Sequence, residues 1–331
     1  MSRTPPMPDT GREPAAVSVV IPTRNRLQLL LRTLHSVLRQ RRVALSVLVV
    51  DDAGTDGSAE ALYRLGDPRL QVVSHTVRQG VSSARNTGLE HVDTPWVAFV
   101  DDDDLWSPDK LSAQLDALGQ QPRAQWACTG AVHIDPECRI LGVAHPPADP
   151  DVADLLLRGN AIPGGGSGVM VATAFARHVG GFDTDLSNLA DWDFYTRLSL
   201  RSPLAAVPAP LVGYFVHPDG MAHDIERSTR EFDYIDAKYA DERRARGLHL
   251  DLEPWLHYLA GLAYSRGQRW LAAHLQLRAA RHGRLRALRS VAGAFLPERV
   301  RAVRRRRILD HVPSDSLEEA RAWLAAYADA R

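Results

Sequence analysis

Residues 96–104 read WVAFVDDDD: Trp96 to Val100 form an unbroken apolar run, and Asp101 to Asp104 follow with no spacer. Five apolar residues in succession have the length of a strand buried on both faces. Four adjacent carboxylates repel one another unless a cation or basic groups share their site. The stretch therefore reads as a core strand that emerges into a polar site. A solvated turn capping the helix that begins near Pro108 is the competing account, since acids favour helix N-termini. One or two acids would suffice for that purpose.

The same grammar recurs upstream. Val17–Ile21 is β-branched, ends at Pro22 and is followed by Thr23, Arg24 and Asn25. Leu45–Val50 runs into Asp51 and Asp52, and Leu70–Val73 is a third such run. Between them, Leu27–Gln40 carries Leu27, Leu30, Leu31, Leu34, Val37 and Leu38 at helical spacing, and Ser58–Leu65 and Val81–His91 are further helices. Strand and helix in alternation predict an α/β fold with a doubly wound, mostly parallel, Rossmann-like central sheet. In such sheets ligands bind outside the carboxyl ends of the strands, so the polar ends of the first, second and fourth strands should gather along one edge. Asp101 and Asp103, two apart, can point the same way and hold a hard divalent ion by oxygen, with waters and substrate phosphates completing its shell. For Asp51 and Asp52, an Asx-type turn before Gly54 explains the residues as well as nucleotide binding does.

Downstream, a helix is expected over Pro108–Leu118, with Pro108 in its first turn, and strands over Gln125–His133 and Arg139–Val143. The cluster Gly164–Gly168 either lets backbone approach a sugar or phosphate or simply turns the chain before Val169–Val171; neither G-x-G-x-x-G nor a Walker pattern is present. Asp191–Leu200 reads as a helix, and Ala205–Val207 and Leu211–Val216 as strands divided by prolines. Beyond Asp224 the spacing is helical throughout, with Glu253–Arg266, Arg269–His282, Leu285–Phe295 and Ser316–Tyr327 as segments. The organisation expected is a disordered lead-in over 1–15, an α/β body over 16–223 and an all-α C-terminal appendage over 224–331.

Five segments now carry a resemblance. VSVVIPTRNR (17–26), VVDDAGTDG (49–57), GVSSARNTG (80–88), FVDDDDLWSPDKL (99–111) and GGFDTDLSNLADWDFYTRL (180–198) resemble, in order and spacing, the signature of glycosyltransferase family 2. The resemblance implies a GT-A fold and an inverting transfer from a nucleoside-diphosphate sugar, a UDP-sugar in the simplest case, with Mg or Mn as cofactor. It implies that Thr23 and Asp52 contact the nucleoside, Asp52 at the base, with Asp51 and Arg24 beside them and Arg85 near the base or diphosphate. It places Asp102 by the ribose and donor sugar, Asp101 and Asp103 on the metal, and His217 as a further candidate metal ligand. Asp191 matches the catalytic base. Inversion asks one carboxylate to take the proton from the acceptor hydroxyl as that oxygen attacks the anomeric carbon. Asp193, two positions on, faces another direction on a helix. The chain departs from the family at Arg24, where tyrosine is frequent, and at Leu189-Ala190-Asp191, which lacks a frequent Glu-Asp pair. Processive members carry Q-x-x-R-W and membrane helices; Gln268-Arg269-Trp270 lacks that spacing, so transfer of a single sugar to a carbohydrate or lipid-linked acceptor is expected.

Composition narrows the remaining classes. At 45% hydrophobic and 24% charged the chain is an ordinary globular protein, with no apolar run of membrane-spanning length and no secretory h-region. Cys128 and Cys138 suit neither a disulfide framework nor a zinc site, which points to a reducing, cytoplasmic setting. The formal net charge of zero hides an asymmetry: residues 1–240 carry 22 basic and 30 acidic side chains, and residues 241–331 carry 18 and 10. Ten arginines lie between Arg281 and Arg307, interleaved with apolar residues. Such a segment either lies on the anionic inner face of a membrane or is a solvated or docking surface. No recognition motif accompanies the charge, so nucleic acid is not an expected partner. Two other classes stay open on the residues alone: a metal-dependent nucleotidyl- or phosphotransferase using the same aspartates, and a non-catalytic scaffold built on a degenerate transferase body.

Overall fold

A computed structural model describes residues 14–148, 151–216, 224–282 and 314–328. Its parallel half is ordered β3 (Leu70–Ser74), β2 (Ala44–Asp51), β1 (Ala16–Thr23), β4 (Trp96–Phe99). The register aligns their carboxyl ends, with Thr23 opposite Asp51 and Val20 opposite Phe99. Chain order reverses between β1 and β4, and a crevice forms where neighbouring strands send their connections to opposite faces.

The strands read as apolar runs because both faces are covered. Val17, Val19 and Ile21 of β1 pack with α1 (Leu27–Leu38), α2 (Ser58–Leu65) and α4 (Lys110–Gln120). Val20, Leu48, Val50, Val97 and Phe99 point the other way, into α3 (Val81–His91), α5 (Val152–Arg158), α6 (Thr173–His178) and α7 (Ala190–Ser199). This is the three-layer α/β architecture expected.

Beyond β4 the sheet continues as β8 (Val169–Ala172), β6 (Trp126–Ile134), β9 (Leu204–Phe215) and the short edge strand β5 (Leu105–Trp106), with β7 (Ile140–Ala144) also on β6. Here β6 and β9 are parallel, and the contacts of β8, β7 and β5 are antiparallel. The two strands expected on either side of the prolines are one. The register steps from Thr129–Val207 to Gly130–Pro210, so Pro208 and Ala209 bulge out of the ladder where a missing N–H costs nothing. Gly130 permits this, because a Cβ there would lie 2.8 Å from the Pro208 carbonyl oxygen.

Helices follow Asp224 as expected: α8 (Ile225–Lys238), capped by the Asp224 carboxylate on the Arg227 N–H at 2.9 Å, then α9 (Ala240–Arg246), α10 (Leu252–Ser265) and α11 (Arg269–His282). Phe232, Ile235 and Tyr239 join the core that surrounds α7. α10 and α11 form a hairpin with its own apolar seam around Leu256, Leu259, Ala263 and Leu275. The last described helix, α12 (Ser314–Ala328), returns to the sheet. Its Trp323, Leu324 and Tyr327 pack on Leu105, Val132, Ile134 and Phe215, and Trp323 Nε1 donates to the Pro210 carbonyl at 3.2 Å. Among the described residues no helix is long and apolar enough to cross a membrane. Residues 1–13 of the expected lead-in over 1–15, His217, the helix over 285–295 and the arginines from Arg284 to Arg307 lie outside the described residues.

Candidate active site

The carboxyl ends of β1, β2 and β4 open into a cleft of ≈ 650 Å³. Thr23, Arg24, Asp52, Arg85, Asp101, Asp102, Asp103 and Asp191 all line it, so residues spread over 169 positions of sequence meet in one place. Asp51 does not line it. Its carboxylate turns back to accept the Gly54 N–H at 2.9 Å, which is the Asx-type turn weighed above.

Asp52 is held from three sides. It accepts His75 Nδ1 at 2.8 Å, the Gln79 N–H at 2.7 Å and the Gly80 N–H at 2.8 Å. Burial works to raise its pKa, and these donors outweigh it, so the carboxyl lies below its ordinary value. His75 is itself fixed through Nε2 on Thr87 Oγ1 at 3.0 Å. Sequence reasoning passed over His75, which follows a strand with no motif around it.

The four-aspartate run divides. Asp101 pairs with Arg85, whose guanidinium is buried and lies over the Phe182 ring, 5.0 Å from its centroid. Asp102 accepts Thr23 Oγ1 at 2.7 Å and Arg26 Nη1 at 3.1 Å, and Asp103 accepts the same Arg26 nitrogen at 2.7 Å. Burial, with Asp103 adding to it, pushes Asp102 up to about 6 against the pull of Arg26 and Thr23. Asp104 faces inward. It accepts the Phe215 N–H at 2.8 Å and the Ser167 hydroxyl, and burial holds its carboxyl well above the usual range. Three members of the run thus line the cleft, while Asp104 is a buried structural residue bonded to Phe215 and Ser167, not the solvated helix cap of the competing account. Arg26 stands inside the quoted first motif, yet nothing in one-dimensional spacing marks it as the counter-ion of residues 76 and 77 positions away.

The glycine cluster supports this floor. Gly165–Ser167 form a 3-10 turn beneath Asp101, whose N–H donates to Ser167 Oγ at 3.0 Å. Trp106 Nε1 donates to the Ser167 carbonyl at 3.1 Å. Behind it the fully buried Lys110 lies 3.9 Å from the Trp106 ring centroid and donates to Gln114, which in turn donates to the Gly168 carbonyl at 3.1 Å. A Cβ on Gly166 would collide with the Arg85 guanidinium and come within 3.0 Å of Asp101 Oδ2. The close approach inferred for this cluster is therefore to the Arg85–Asp101 pair.

Across the cleft, α7 separates its two acids. Asp191 lines the cavity and accepts Asn160 Nδ2 at 3.3 Å. Burial raises its pKa, against the opposing pull of Arg85 and the Trp192 N–H. Asp193 points inward, fully buried, onto Arg197 Nη2 at 2.7 Å, Lys238 Nζ at 2.7 Å and Tyr239 Oη at 2.8 Å. Glu231 of α8 fixes the approach to α7 by accepting the N–H groups of Ser187 at 3.0 Å and Leu189 at 2.9 Å.

Among the described residues no group of three or more His, Cys, Asp or Glu is arranged to hold a metal by itself. Asp101 and Asp103 nevertheless fit a hard cation. Both line the same cleft and both already sit against a guanidinium, so the floor is built to share its negative charge with a cation. Two carboxylates, with phosphate oxygens and water supplying the rest of the shell, are the usual protein contribution for Mg.

Comparison with known proteins agrees with this fold. Residues 18–143 match the family model described as Glycosyl transferase family 2. It is similar to the "Putative teichuronic acid biosynthesis glycosyltransferase TuaG" of Bacillus subtilis, 40% identical over 104 residues that make up 31% of this chain and 41% of that one. It is also similar to the "UDP-Glc:alpha-D-GlcNAc-diphosphoundecaprenol beta-1,3-glucosyltransferase WfgD" of Escherichia coli, 29% identical over 102 residues, 31% of this chain and 40% of that one. The matches span about two fifths of the length of these two curated relatives. Among solved structures, a mannosyltransferase from Pyrobaculum calidifontis in complex with GDP-Man and Mn2+ shares the fold, with a TM-score of 0.54 at 22% identity over 94% of this chain and 85% of that one. The GT-A-like α/β architecture with a helical C-terminal region is thereby established.

Proposed function

We propose that the chain moves a single sugar from a nucleoside-diphosphate sugar to an acceptor hydroxyl with inversion at the anomeric carbon. The observation that carries this reading is the convergence of Asp52, Asp101–Asp103 and Asp191 on one cleft at the β1/β4 switch point. Asp52 and Thr23 hold the nucleoside, and Asp102 meets the ribose and donor sugar. Asp101 and Asp103 would hold Mg or Mn, which, when bound, neutralises charge on the diphosphate. Arg85 supplies a buried positive charge at the same place. Arg24 lies on the cleft wall, within reach of a bound nucleotide.

Asp191 acts from the opposite wall. It takes the acceptor O–H proton as that oxygen bonds to the anomeric carbon, and the bond to the diphosphate breaks with its electron pair on the departing oxygen. A single displacement inverts the centre. Burial raises the pKa of Asp191 above the ordinary aspartate value, which strengthens it as a base. The donor named for the E. coli relative is a UDP-sugar and its acceptor is a lipid-linked diphosphate, which supports a UDP-sugar donor and a carbohydrate or lipid-linked acceptor here. The arginine-rich segment would then meet the inner face of a membrane.

Isothermal titration tests the donor half: UDP, or another nucleoside diphosphate, binds when Mn or Mg is present and not in chelator, and Asp103→Ala removes that binding. A panel of nucleotide sugars, read by release of nucleoside diphosphate, then identifies the donor. Failure of every nucleoside diphosphate to bind sinks the reading.

A further inference from the structure

The cleft has a side chamber. A cavity of ≈ 450 Å³ adjoins it and shares Gln79, Gly80, Val81, Ser187 and Arg227 with it. None of the strand-end aspartates lines this chamber, nor does Asp191. Its cations are Arg227 and Arg230, which lie three residues apart on α8 and so share one helical face.

The acids around them leave the two guanidiniums available. Arg227 Nε stands 3.7 Å from Asp224, and Arg230 Nη1 stands 3.9 Å from Glu226, whose side chain is 90% exposed. Exposed pairs of that length hold weakly. Glu231 lines the chamber but is committed to the Ser187 and Leu189 N–H groups. Asp185 is exposed on the turn before α7. A guanidinium prefers a bidentate phosphate to a long, solvated carboxylate contact.

Position selects the occupant. The donor runs from Asp52 to Asp101–Asp103, which places its diphosphate on the floor. The chamber is lined by none of Asp52 and Asp101–Asp103, and it meets the cleft along Gln79–Val81, beside Asp52, and at Ser187, four residues before the base Asp191. We infer that this chamber is the acceptor's phosphate subsite: Arg227 and Arg230 grip a phosphate or diphosphate on the acceptor while its hydroxyl faces Asp191. The inference rests on the transferase reading above and adds an acceptor class to it. The shared chemistry is a phosphate ester, carried either by a polyprenyl diphosphate or by a soluble sugar phosphate.

The test uses the full chain presaturated with UDP and Mg, titrated with glucose 1-phosphate, with methyl glucoside as the neutral control, and with farnesyl diphosphate in detergent micelles. At least one phosphate probe binds tenfold or more tighter than methyl glucoside. Arg230→Gln and the double variant Arg227→Gln/Arg230→Gln bring the preference to within twofold, and Arg230→Lys restores part of it. Circular dichroism reports the fold of each variant. Tighter binding of the micellar diphosphate assigns a lipid-linked acceptor, and equal or tighter binding of glucose 1-phosphate assigns a soluble one. Equal affinity for charged and neutral probes, a preference that survives both substitutions, or loss of the phosphate site on saturation with UDP overturns the inference. Absence of UDP binding, or of any nucleoside diphosphate binding, is a different failure, that of the transferase reading itself.

Discussion

The floor of the cleft and the wall opposite hold their carboxylates in contrasting ways. On the floor each acid has strong partners before any ligand arrives: Asp101 has Arg85, Asp102 and Asp103 share Arg26, and Asp52 has His75 and two backbone N–H groups. On the wall Asp191 accepts a 3.3 Å contact from Asn160 and lies under a net upward pKa shift. Paired carboxylates are poor bases and well-ordered ligands; a desolvated carboxylate with modest partners is the reverse. On the transferase reading proposed above, the difference suits binding at the floor, where burial nevertheless raises Asp102 to about 6, and proton transfer at the wall. It also separates Asp191 from Asp193, whose three cationic or hydroxyl partners make it a structural residue on the same helix.

The contrast is open to direct attack. Asp191→Asn should reduce turnover by about a thousandfold, within the range for loss of a general base, while UDP affinity stays within about twofold; a variant that still turns over normally breaks the division of labour. With wild-type protein, turnover should rise with pH through the Asp191 pKa and level off above it. Because burial raises that pKa, the acid limb should sit above the ordinary aspartate value of 3.8. Asp193→Asn should instead lower unfolding free energy by ~3 kcal/mol, since it leaves the Arg197 guanidinium without its carboxylate partner while Lys238 keeps Asp183, and the folded fraction should bind UDP as the wild type does. Denaturant titration checks the first half and calorimetry the second. Gly166→Ala should cost about tenfold in UDP–Mg affinity, ~1.4 kcal/mol, by forcing the Arg85–Asp101 pair apart, with little change in melting temperature. The smallest change belongs to His75→Gln: about threefold weaker UDP binding, the worth of one net hydrogen bond to Asp52.

Much of the floor was legible in one dimension, and the reason is geometric. In parallel strands the carboxyl ends share an edge, so residues just after an apolar run share a site whatever their distance in sequence. Thr23, Asp52 and Asp101–Asp103 were found on that principle. Asp51 showed its limit: next to Asp52 and equally acidic, it points the other way because side chains alternate at a strand end, and it closes a turn on Gly54. Arg26, His75 and Asn160 escaped notice because their roles come from partners 23 or more positions away. Prolines 208 and 210 misled the reading of β9, since Pro208 bulges out of the ladder and Pro210 rejoins it opposite Gly130.

By itself the sequence determined the α/β layering, the parallel core and the edge on which polar residues collect, because apolar periodicity and strand ends are local properties of the chain. Tertiary structure alone decided which acid on each element lines the cleft, which arginine pairs with it, and that the late helices α8 and α12 return to brace α7 and β9. Those outcomes depend on burial and on charge partners brought together by packing, and an aspartate carries the same letter whether its neighbour in space is water, a guanidinium or a backbone N–H.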